Sequence, residues 1–422
     1  MLLIQNGTIL DPYTGTDAAS DILIGDDGVL CRIAPHIAPD DGTQVLDAAG
    51  CTVSPGLVDV HVHFRDPGLT YKEDILTGAA AAAAGGFTTV VCMANTKPVC
   101  DSVETLRYVQ EKARQVPIHV LQACAVSKGL QGEELVDFEA LHAAGAPGFT
   151  DDGINLTDGK RCYEAMLRAK ALGVPLSFHE EDPSFLLSPG VNFGSAAAEK
   201  FGVPGAMPSS EESMIARDIA LALRTGARVA FQHVSSGLSV ALIRAGKALG
   251  ADIHAEATPH HISLTEDDVL TYGVNARMNP PLRKEADRQA LIEGLADGTI
   301  DMIATDHAPH AAEEKARPFA SAPSGITGLE TSFSVCNTAL VQTGRLTPMQ
   351  LLARMSQGPA AFYGLTGKAI TVGNRAELML ADWNADVVYT SYRSKSANTP
   401  FTGMPLKGKV RGIVMGDRWL EA

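Results

Sequence analysis

The alternation of hydrophobic and polar positions changes its period twice along the chain. Residues 1–55 contain short strand-like stretches at 2–10, 19–24 and 29–34, which predicts a small β element. From residue 53 onward, apolar runs of strand length alternate with helical stretches. The predicted helices cover 74–84, 103–115, 161–172, 211–225, 236–249 and 285–297. Strand–helix alternation on this scale is typical of a parallel sheet.

Eight of the apolar runs are strand candidates. They cover 57–61, 88–93, 118–124, 148–150, 175–179, 228–233, 253–256 and 301–305. Eight parallel strands with outer helices form a (β/α)8 barrel, whose active-site residues lie at the carboxyl ends of the strands. After about residue 366, β-like patches return at 377–381, 387–389 and 410–415. We therefore predict an α/β protein with a TIM-like barrel over 56–366 and one satellite β domain built from 1–55 and 367–422.

Composition restricts the partners of this protein. Of the 422 residues, 45% are hydrophobic and 20% charged, which excludes a disordered chain. The formal net charge of −15 argues against nucleic acid and membranes as partners, so an anionic substrate would need positive charge from the site itself. The seven cysteines form no Cys-x-x-Cys pair, and no apolar run resembles a signal peptide or a transmembrane segment. We expect a cytoplasmic enzyme.

Two histidines, His61 and His63, stand two residues apart at the end of the first predicted barrel strand. Because side chains alternate across a strand, both imidazoles point to one face. Histidine is the commonest metal ligand near neutral pH, so the pair suggests a divalent metal site. Taken alone, the pair is equally compatible with two core histidines whose hydrogen bonds are satisfied.

Three other predicted strands and the end of the eighth carry further metal-competent side chains. Asp151 and Asp152 follow the fourth strand, His179 and His233 end the fifth and sixth, and Asp306 follows the eighth. Residues whose only task is packing would rarely form such a series, so we predict a metal site at the carboxyl end of the barrel. The chemistry of the residues does not decide between Asp151 and Asp152 as ligand.

Five sequence blocks carry these polar residues, at 55–68, 93–98, 150–153, 278–283 and 304–310. They include a His-x-His-x-Arg run, an Asp-Asp-Gly block and an Asp-His-Ala-Pro-His block. In content and order the blocks resemble those of the amidohydrolase superfamily, specifically the type I dihydroorotases, over essentially the whole chain. The resemblance implies reversible cyclisation of N-carbamoyl-L-aspartate to L-dihydroorotate, a step of de novo pyrimidine synthesis.

The resemblance also implies roles for individual residues. His61, His63 and Asp306 would hold one Zn²⁺, His179 and His233 a second, and Asp152 would bridge the two ions. A metal-bound hydroxide would attack the ring amide carbonyl, with Asp306 as general acid–base. Histidine and carboxylate ligands also accept Mn, Co or Fe, so the native metal is left open.

The substrate carries carboxylates, for which the planar guanidinium of Arg65 is well suited. The resemblance implies a set of substrate contacts comprising His63, Arg65, Asn95, Asn279, His310, Ser324 and Gly325. For Asn95 and Asn279, capping of a turn is an equally good interpretation of the residues alone. We interpret segment 310–325 either as a lid or as a surface loop.

Two alternatives remain at this point. Another cyclic amidase of the superfamily, such as a hydantoinase, dihydropyrimidinase or allantoinase, would usually bridge its metals with a carboxylated lysine from the fourth strand, where this chain has aspartates and Lys160 lies well beyond. A catalytically inactive scaffold would lack the ligands that this chain retains. The resemblance further implies a homodimer, and some relatives associate with aspartate carbamoyltransferase.

Overall fold

The computed structural model describes residues 1–422, which begin with seven short strands. These are β1 (Leu2–Gln5), β2 (Thr8–Asp11), β3 (Thr16–Ala19), β4 (Asp21–Ile24), β5 (Leu30–Ala34), β6 (Gln44–Asp47) and β7 (Thr52–Pro55). Four of them form a sheet in the order β5-β4-β1-β6, while β2, β3 and β7 belong to a second sheet. The β element predicted for residues 1–55 is therefore present.

The next eight strands are the ones predicted for the barrel, and each lies within two residues of its predicted bounds. They are β8 (Leu57–Val62), β9 (Phe87–Cys92), β10 (His119–Gln122), β11 (Phe149–Thr150), β12 (Leu176–Phe178), β13 (Val229–Phe231), β14 (Ile253–Ala257) and β15 (Met302–Ile303). Nearly every residue in them is buried, as expected when helices cover a parallel sheet.

All neighbouring barrel strands that pair do so in parallel. One sheet has the order β10-β9-β8 and the other β11-β12-β13-β14-β15. Isolated parallel bridges join the two sheets, between Cys124 and Phe149 on one side and between Val62 and His307 on the other. The carboxyl ends of all eight strands thus lie on the same side of the molecule.

Three strands close the chain: β16 (Glu377–Val388), β17 (Pro405–Met415) and β18 (Arg418–Glu421). They combine with early strands in a sheet of order β18-β17-β16-β7-β2-β3, so both chain ends share one sheet. The sequence predicted two separate β-like patches, at 377–381 and 387–389, but the structure has one continuous strand, β16, over this region. The register of β16 shifts between Asp382 and Asp386, and this irregular polar stretch interrupts the alternation that a regular strand would show.

Fourteen α-helices connect and cover the strands. They are α1 (Ile75–Ala84), α2 (Val103–Ala113), α3 (Phe138–Ala143), α4 (Gly159–Leu172), α5 (Ala196–Phe201), α6 (Ser209–Thr225), α7 (Gly237–Ala248), α8 (Pro259–Ser263), α9 (Asp268–Tyr272), α10 (Glu285–Asp297), α11 (Ala312–Lys315), α12 (Ser332–Cys336), α13 (Pro348–Leu352) and α14 (Gly358–Phe362). The six predicted helices are α1, α2, α4, α6, α7 and α10; the others have six residues or fewer, too short to show a helical period. None of the helices is long and apolar enough to cross a bilayer.

The apolar side chains form one large core and smaller ones. The largest contains 66 buried residues from the barrel strands, their helices and the β16–β17 pair. A separate core of 13 buried residues lies between the amino-terminal strands and β16–β17, with Ile4, Leu378 and Val414 among its members. The terminal sheets therefore have their own core and also pack on the barrel.

Candidate metal centre and active site

The six side chains predicted as metal ligands lie together at the carboxyl ends of five barrel strands. His61 is in β8 and His63 just beyond it, Asp152 follows β11, His179 follows β12, His233 follows β13, and Asp306 follows β15. All six are buried. The sequence separates them by up to 245 residues, and parallel pairing brings them to one rim.

His61, His63 and Asp306 form the first group of potential ligands, with donor atoms all within 4.8 Å of one another. Asp306 Oδ1 lies 3.1 Å from His63 Nε2 and 3.6 Å from His61 Nε2. The His61 Nε2 atom is buried and has no hydrogen-bond partner. A buried nitrogen of this kind is costly unless something binds it, and two imidazoles with a carboxylate suit a divalent metal ion.

Asp152 stands between this group and the other two histidines. Its Oδ1 lies 3.3 Å from His61 Nε2 and 3.8 Å from both His179 Nδ1 and His233 Nε2, while Oδ2 lies 3.4 Å from His63 Nε2. The two distal histidines approach each other to 2.9 Å between His179 Nδ1 and His233 Nε2. Burial raises the pKa of Asp152, but the surrounding imidazoles outweigh it and hold that pKa well below its usual range. The geometry suits a carboxylate shared by two ions.

Asp151 points away from the histidines, although it is the adjacent residue. Its Oδ1 accepts the backbone N–H groups of Val126 (2.7 Å) and Ser127 (3.0 Å), and its Oδ2 accepts the Ser127 hydroxyl. Burial raises the pKa of Asp151 to about 6. Its oxygens therefore anchor the end of β11 to the segment after β10, and the geometry favours Asp152 over Asp151 as the ligand.

Each of three histidines has a polar partner behind its ring. His61 Nδ1 lies 3.0 Å from Glu256 Oε2, and His179 Nε2 lies 2.9 Å from Glu181 Oε2. His63 Nδ1 lies 2.9 Å from Asn95 Oδ1. Such partners fix the orientation and tautomer of a metal-binding imidazole. Sequence analysis missed both glutamates, although Glu256 belongs to the seventh barrel strand near its carboxyl end, where the same strand-end reasoning applies.

The seven residues predicted to contact substrate line one pocket with the ligands. The pocket wall includes His63, Arg65, Asn95, Asn279, His310, Ser324 and Gly325, together with Asp152, His179, His233 and Asp306. Arg65 has a left-handed backbone (φ 58°), and its Nε donates to the Pro309 carbonyl at 3.2 Å. The pocket thus contains a guanidinium together with the potential metal ligands.

The wall of the pocket around Ser324 is held by side chains from distant segments. His310 Nε2 lies 2.8 Å from the Ser324 carbonyl oxygen, and the Ser324 hydroxyl donates to Asn279 Oδ1 at 3.3 Å. Gly325 has φ 123°, and a Cβ there would lie 2.7 Å from Ala308 Cβ, so the position requires glycine. Asn155 and Glu181 also line the pocket and were not predicted.

Some histidines near the strand ends lie outside the group of ligands. His307 turns away from it, its Nδ1 accepting the Gly328 N–H at 3.2 Å. His260 and His261 lie in the first turn of α8, just beyond the end of β14. His261 is held by the Pro280 carbonyl oxygen, at 3.0 Å from its Nε2. None of these three histidines contributes an atom to the groups of potential metal ligands.

Comparison with known proteins identifies the family. Residues 50–239 match the model of the dihydro-orotase-like family. The dihydroorotase of Clostridioides difficile is 53% identical over 410 residues, which is 97% of each chain. The dihydroorotase of Clostridium acetobutylicum is 50% identical over 422 residues, which is 99% of each chain.

Solved structures with a similar fold include hydantoinases (dihydropyrimidinases). An L-hydantoinase from Arthrobacter aurescens aligns over 100% of this chain and 96% of its own, with TM-score 0.87 and 25% identity. A D-hydantoinase from Thermus sp. aligns over 100% and 97%, with TM-score 0.84 and 26% identity. Because the sequence relatives are twice as similar as these structures, the chain belongs to the dihydroorotases of the amidohydrolase superfamily.

Proposed function

We propose that this protein interconverts N-carbamoyl-L-aspartate and L-dihydroorotate in de novo UMP synthesis. One observation carries the proposal: the His and Asp donors from five strands share a single pocket with Arg65 and His310. Dihydroorotate is a cyclic amide with a carboxylate, so its hydrolysis requires activation of the amide at one end and anion recognition at the other.

Two Zn²⁺ ions per chain fit the donor set. His61, His63 and Asp306 would hold one ion and His179 and His233 the other, with Asp152 between them. In support, the donor atoms of His61, His63 and Asp306, and those of His61, Asp152 and His233, lie within 4.8 Å of one another, and His61 Nε2 has no hydrogen-bond partner. His179 Nδ1 lies 3.8 Å from Asp152 Oδ1. Neutral water is a poor nucleophile and an amide carbon a poor electrophile. Bound divalent metals lower the pKa of water and polarise a carbonyl, and so activate both reactants.

Asp306 is the residue proposed to move the proton. In hydrolysis its carboxylate accepts a proton from the attacking water and delivers it to the ring nitrogen as the C–N bond breaks. In ring closure it takes a proton from the carbamoyl nitrogen as the C–N bond forms and delivers it to the departing hydroxyl oxygen, which leaves as water. Burial raises the pKa of Asp306, but His63 and His61 outweigh this and hold it below the usual range, so the carboxylate is ionised. Its left-handed backbone (φ 46°) is a strained conformation of the kind found at functional sites.

The carboxylate of the substrate is assigned to the opposite wall. Arg65 provides a charged planar donor, and Asn279 and His310 provide neutral polar groups in the same pocket. Asn95 also lines the pocket, next to His63 and Asp152. Burial and the nearby cations lower the pKa of His310 to about 3, so its imidazole is neutral at physiological pH. The backbone at Ser324 and Gly325 completes this wall.

We propose the following domain organisation for the enzyme. Residues 56–366 would form a closed (β/α)8 barrel, supported by the two bridges that link its sheets. Residues 1–55 and 367–422 would form one satellite β domain, supported by their shared sheet and separate core. A homodimer, association with aspartate carbamoyltransferase and a lid role for 310–325 stay predictions.

The alternative is another cyclic amidase, because the similar solved structures are hydantoinases. A bridging carboxylated lysine would have to come from the region of β11. The nearest lysine beyond it, Lys160, lies on α4 with 80% of its side chain exposed, next to Glu164. The guanidinium of Arg65 also suits a substrate with an additional carboxylate.

The test is turnover of L-dihydroorotate by the zinc-loaded protein, with allantoin and dihydrouracil measured in parallel. We expect hydrolysis of dihydroorotate and reverse cyclisation of N-carbamoyl-L-aspartate, with neither comparison substrate consumed at a similar rate. Turnover of only the comparison substrates would overturn the proposal in favour of another cyclic amidase.

A further inference from the structure

A buried lysine lies behind the pocket wall and contacts no carboxylate. Lys315 is the only buried residue of α11, with 5% of its surface exposed. Its Nζ donates to the backbone carbonyls of Pro323 (3.0 Å) and Gly325 (3.1 Å), and it takes part in no ion pair. An ammonium group buried without a counter-ion is costly, so its position calls for an explanation.

The two carbonyls flank Ser324, whose backbone belongs to the pocket wall. The Ser324 carbonyl is 2.8 Å from His310 Nε2, and the Gly325 carbonyl also accepts Asn398 Nδ2 at 3.0 Å. Lys315 itself does not line the pocket. Through these contacts Lys315 determines where the Ser324–Gly325 backbone lies, and with it the imidazole of His310.

Positive charge predominates in this region of an otherwise acidic protein. Arg277 is buried near Lys315, and the charges of Arg65, Lys72 and Lys315 all act on the imidazole of His310. Glu314 neutralises Lys72, at 3.0 Å between Oε1 and Nζ. The Arg277 guanidinium contacts only the Ser324 hydroxyl and lies 5.6 Å from the Phe319 ring centre. Burial and the charge of Arg277 lower the pKa of Lys315 to about 7. A shift in this direction is expected where a buried ammonium group has no carboxylate partner.

We propose that Lys315 is a positioning residue for recognition of the substrate carboxylate. It holds the Ser324–Gly325 backbone and His310 in place, and an anion bound at this wall favours the protonated, charged form of its side chain. The inference rests on the proposed function, because it assigns the carboxylate to this wall. Nothing in the residue's position gives it a part in metal binding or in proton transfer.

The test compares Lys315→Met, which keeps most of the side-chain volume, with Lys315→Arg, which keeps the charge. KM and kcat for L-dihydroorotate are measured together with the inhibition constant of orotate, a planar carboxylate relative of the substrate. For Lys315→Met we expect KM and the orotate constant to rise by about ten- to hundredfold, as for loss of contacts involving a charged group. We expect kcat to fall by less than about threefold, since the loss is in ligand binding. Lys315→Arg is expected to recover at least part of the affinity.

Lys368→Met provides the matched control. Lys368 is also buried, donates to Thr89 Oγ1 at 2.7 Å and pairs with Glu377, next to the terminal sheet. We expect this variant to lose thermal stability and to keep its KM. An unchanged KM and orotate constant in Lys315→Met, or an equal rise in Lys368→Met, would overturn the inference. Zinc content and melting temperature show whether each variant is folded. If Lys315→Met does not fold, orotate binding to Lys315→Arg decides whether the inference holds.

The inference and the proposed function fail differently. A wild-type protein that does not hydrolyse dihydroorotate refutes the function. If the wild-type protein hydrolyses dihydroorotate but the Lys315→Met variant loses only kcat, the positioning role is refuted and the proposed function stands.

Discussion

The two walls of the pocket are built in different ways. The metal wall, to which five of the six proposed ligands contribute, comes from strand ends whose backbones are held by the parallel sheets. The anion wall, formed by Arg65, His310, Ser324 and Gly325, comes from loops that side chains such as Lys315 and Asn398 hold in place. Strand ends give rigid convergence, whereas loops allow the backbone itself to contact a ligand.

The walls also differ in charge. Two aspartates stand among the histidines of the metal wall, and buried cations stand behind the anion wall. A single pocket can therefore hold metal cations and a substrate carboxylate without mixing their partners. The comparison predicts that substitutions on the metal wall affect metal content or kcat, and that substitutions on the anion wall affect KM.

Asp306→Asn should produce the largest effect. The amide keeps the size of the side chain but cannot shuttle a proton, so we expect kcat to fall by about 10²–10⁴-fold. The measurement is steady-state turnover of dihydroorotate, with zinc content by atomic absorption on the same sample. A variant with wild-type zinc content and full turnover would leave Asp306 with no role in proton transfer.

Arg65→Lys tests the anion wall. Lysine keeps the charge but loses the planar fork, and lost hydrogen bonds to a charged group correspond to a rise in KM of about 10–100-fold. Metal content should not change. If KM stays constant and zinc is lost instead, the assignment of Arg65 to substrate binding is wrong.

Glu256→Gln tests the support behind the metal wall. The amide removes the negative charge that contacts His61 Nδ1 at 3.0 Å, and loss of such a partner typically lowers metal affinity by about 10–100-fold. Competition with a chelator measures that affinity. Glu377→Gln, in strand β16 of the terminal sheet, serves as the control. Equal zinc affinity in the wild type and Glu256→Gln would contradict the assignment.

Asp151→Ala should have the smallest effect on the chemistry. Removing its carboxylate leaves two buried N–H groups, of Val126 and Ser127, without an acceptor, which costs about 1–3 kcal/mol of stability. We expect denaturant unfolding to show this loss while zinc content at 25 °C is retained. Asp152→Ala, in contrast, should lose zinc; a reversed result would exchange the roles of the two aspartates.

The sequence pattern was sufficient to predict all eight barrel strands and the six longer helices. Burial on both faces of a strand leaves a short continuous apolar run, and burial on one face of a helix leaves a periodic pattern. The short helices and the continuous strand β16 left no such trace. The convergence of His61, His179, His233 and Asp306 followed from the strand count, because parallel strands bring their carboxyl ends to one rim.

The sequence by itself therefore determined the order of the elements, the family and which strand ends carry metal-competent side chains. Only the tertiary structure decided between Asp151 and Asp152, because the choice depends on N–H groups 24 and 25 residues earlier in the chain. The same is true of Glu256 behind His61 and of Lys315 behind Ser324. Such roles depend on contacts between segments, and a contact between segments has no local pattern from which it could be predicted.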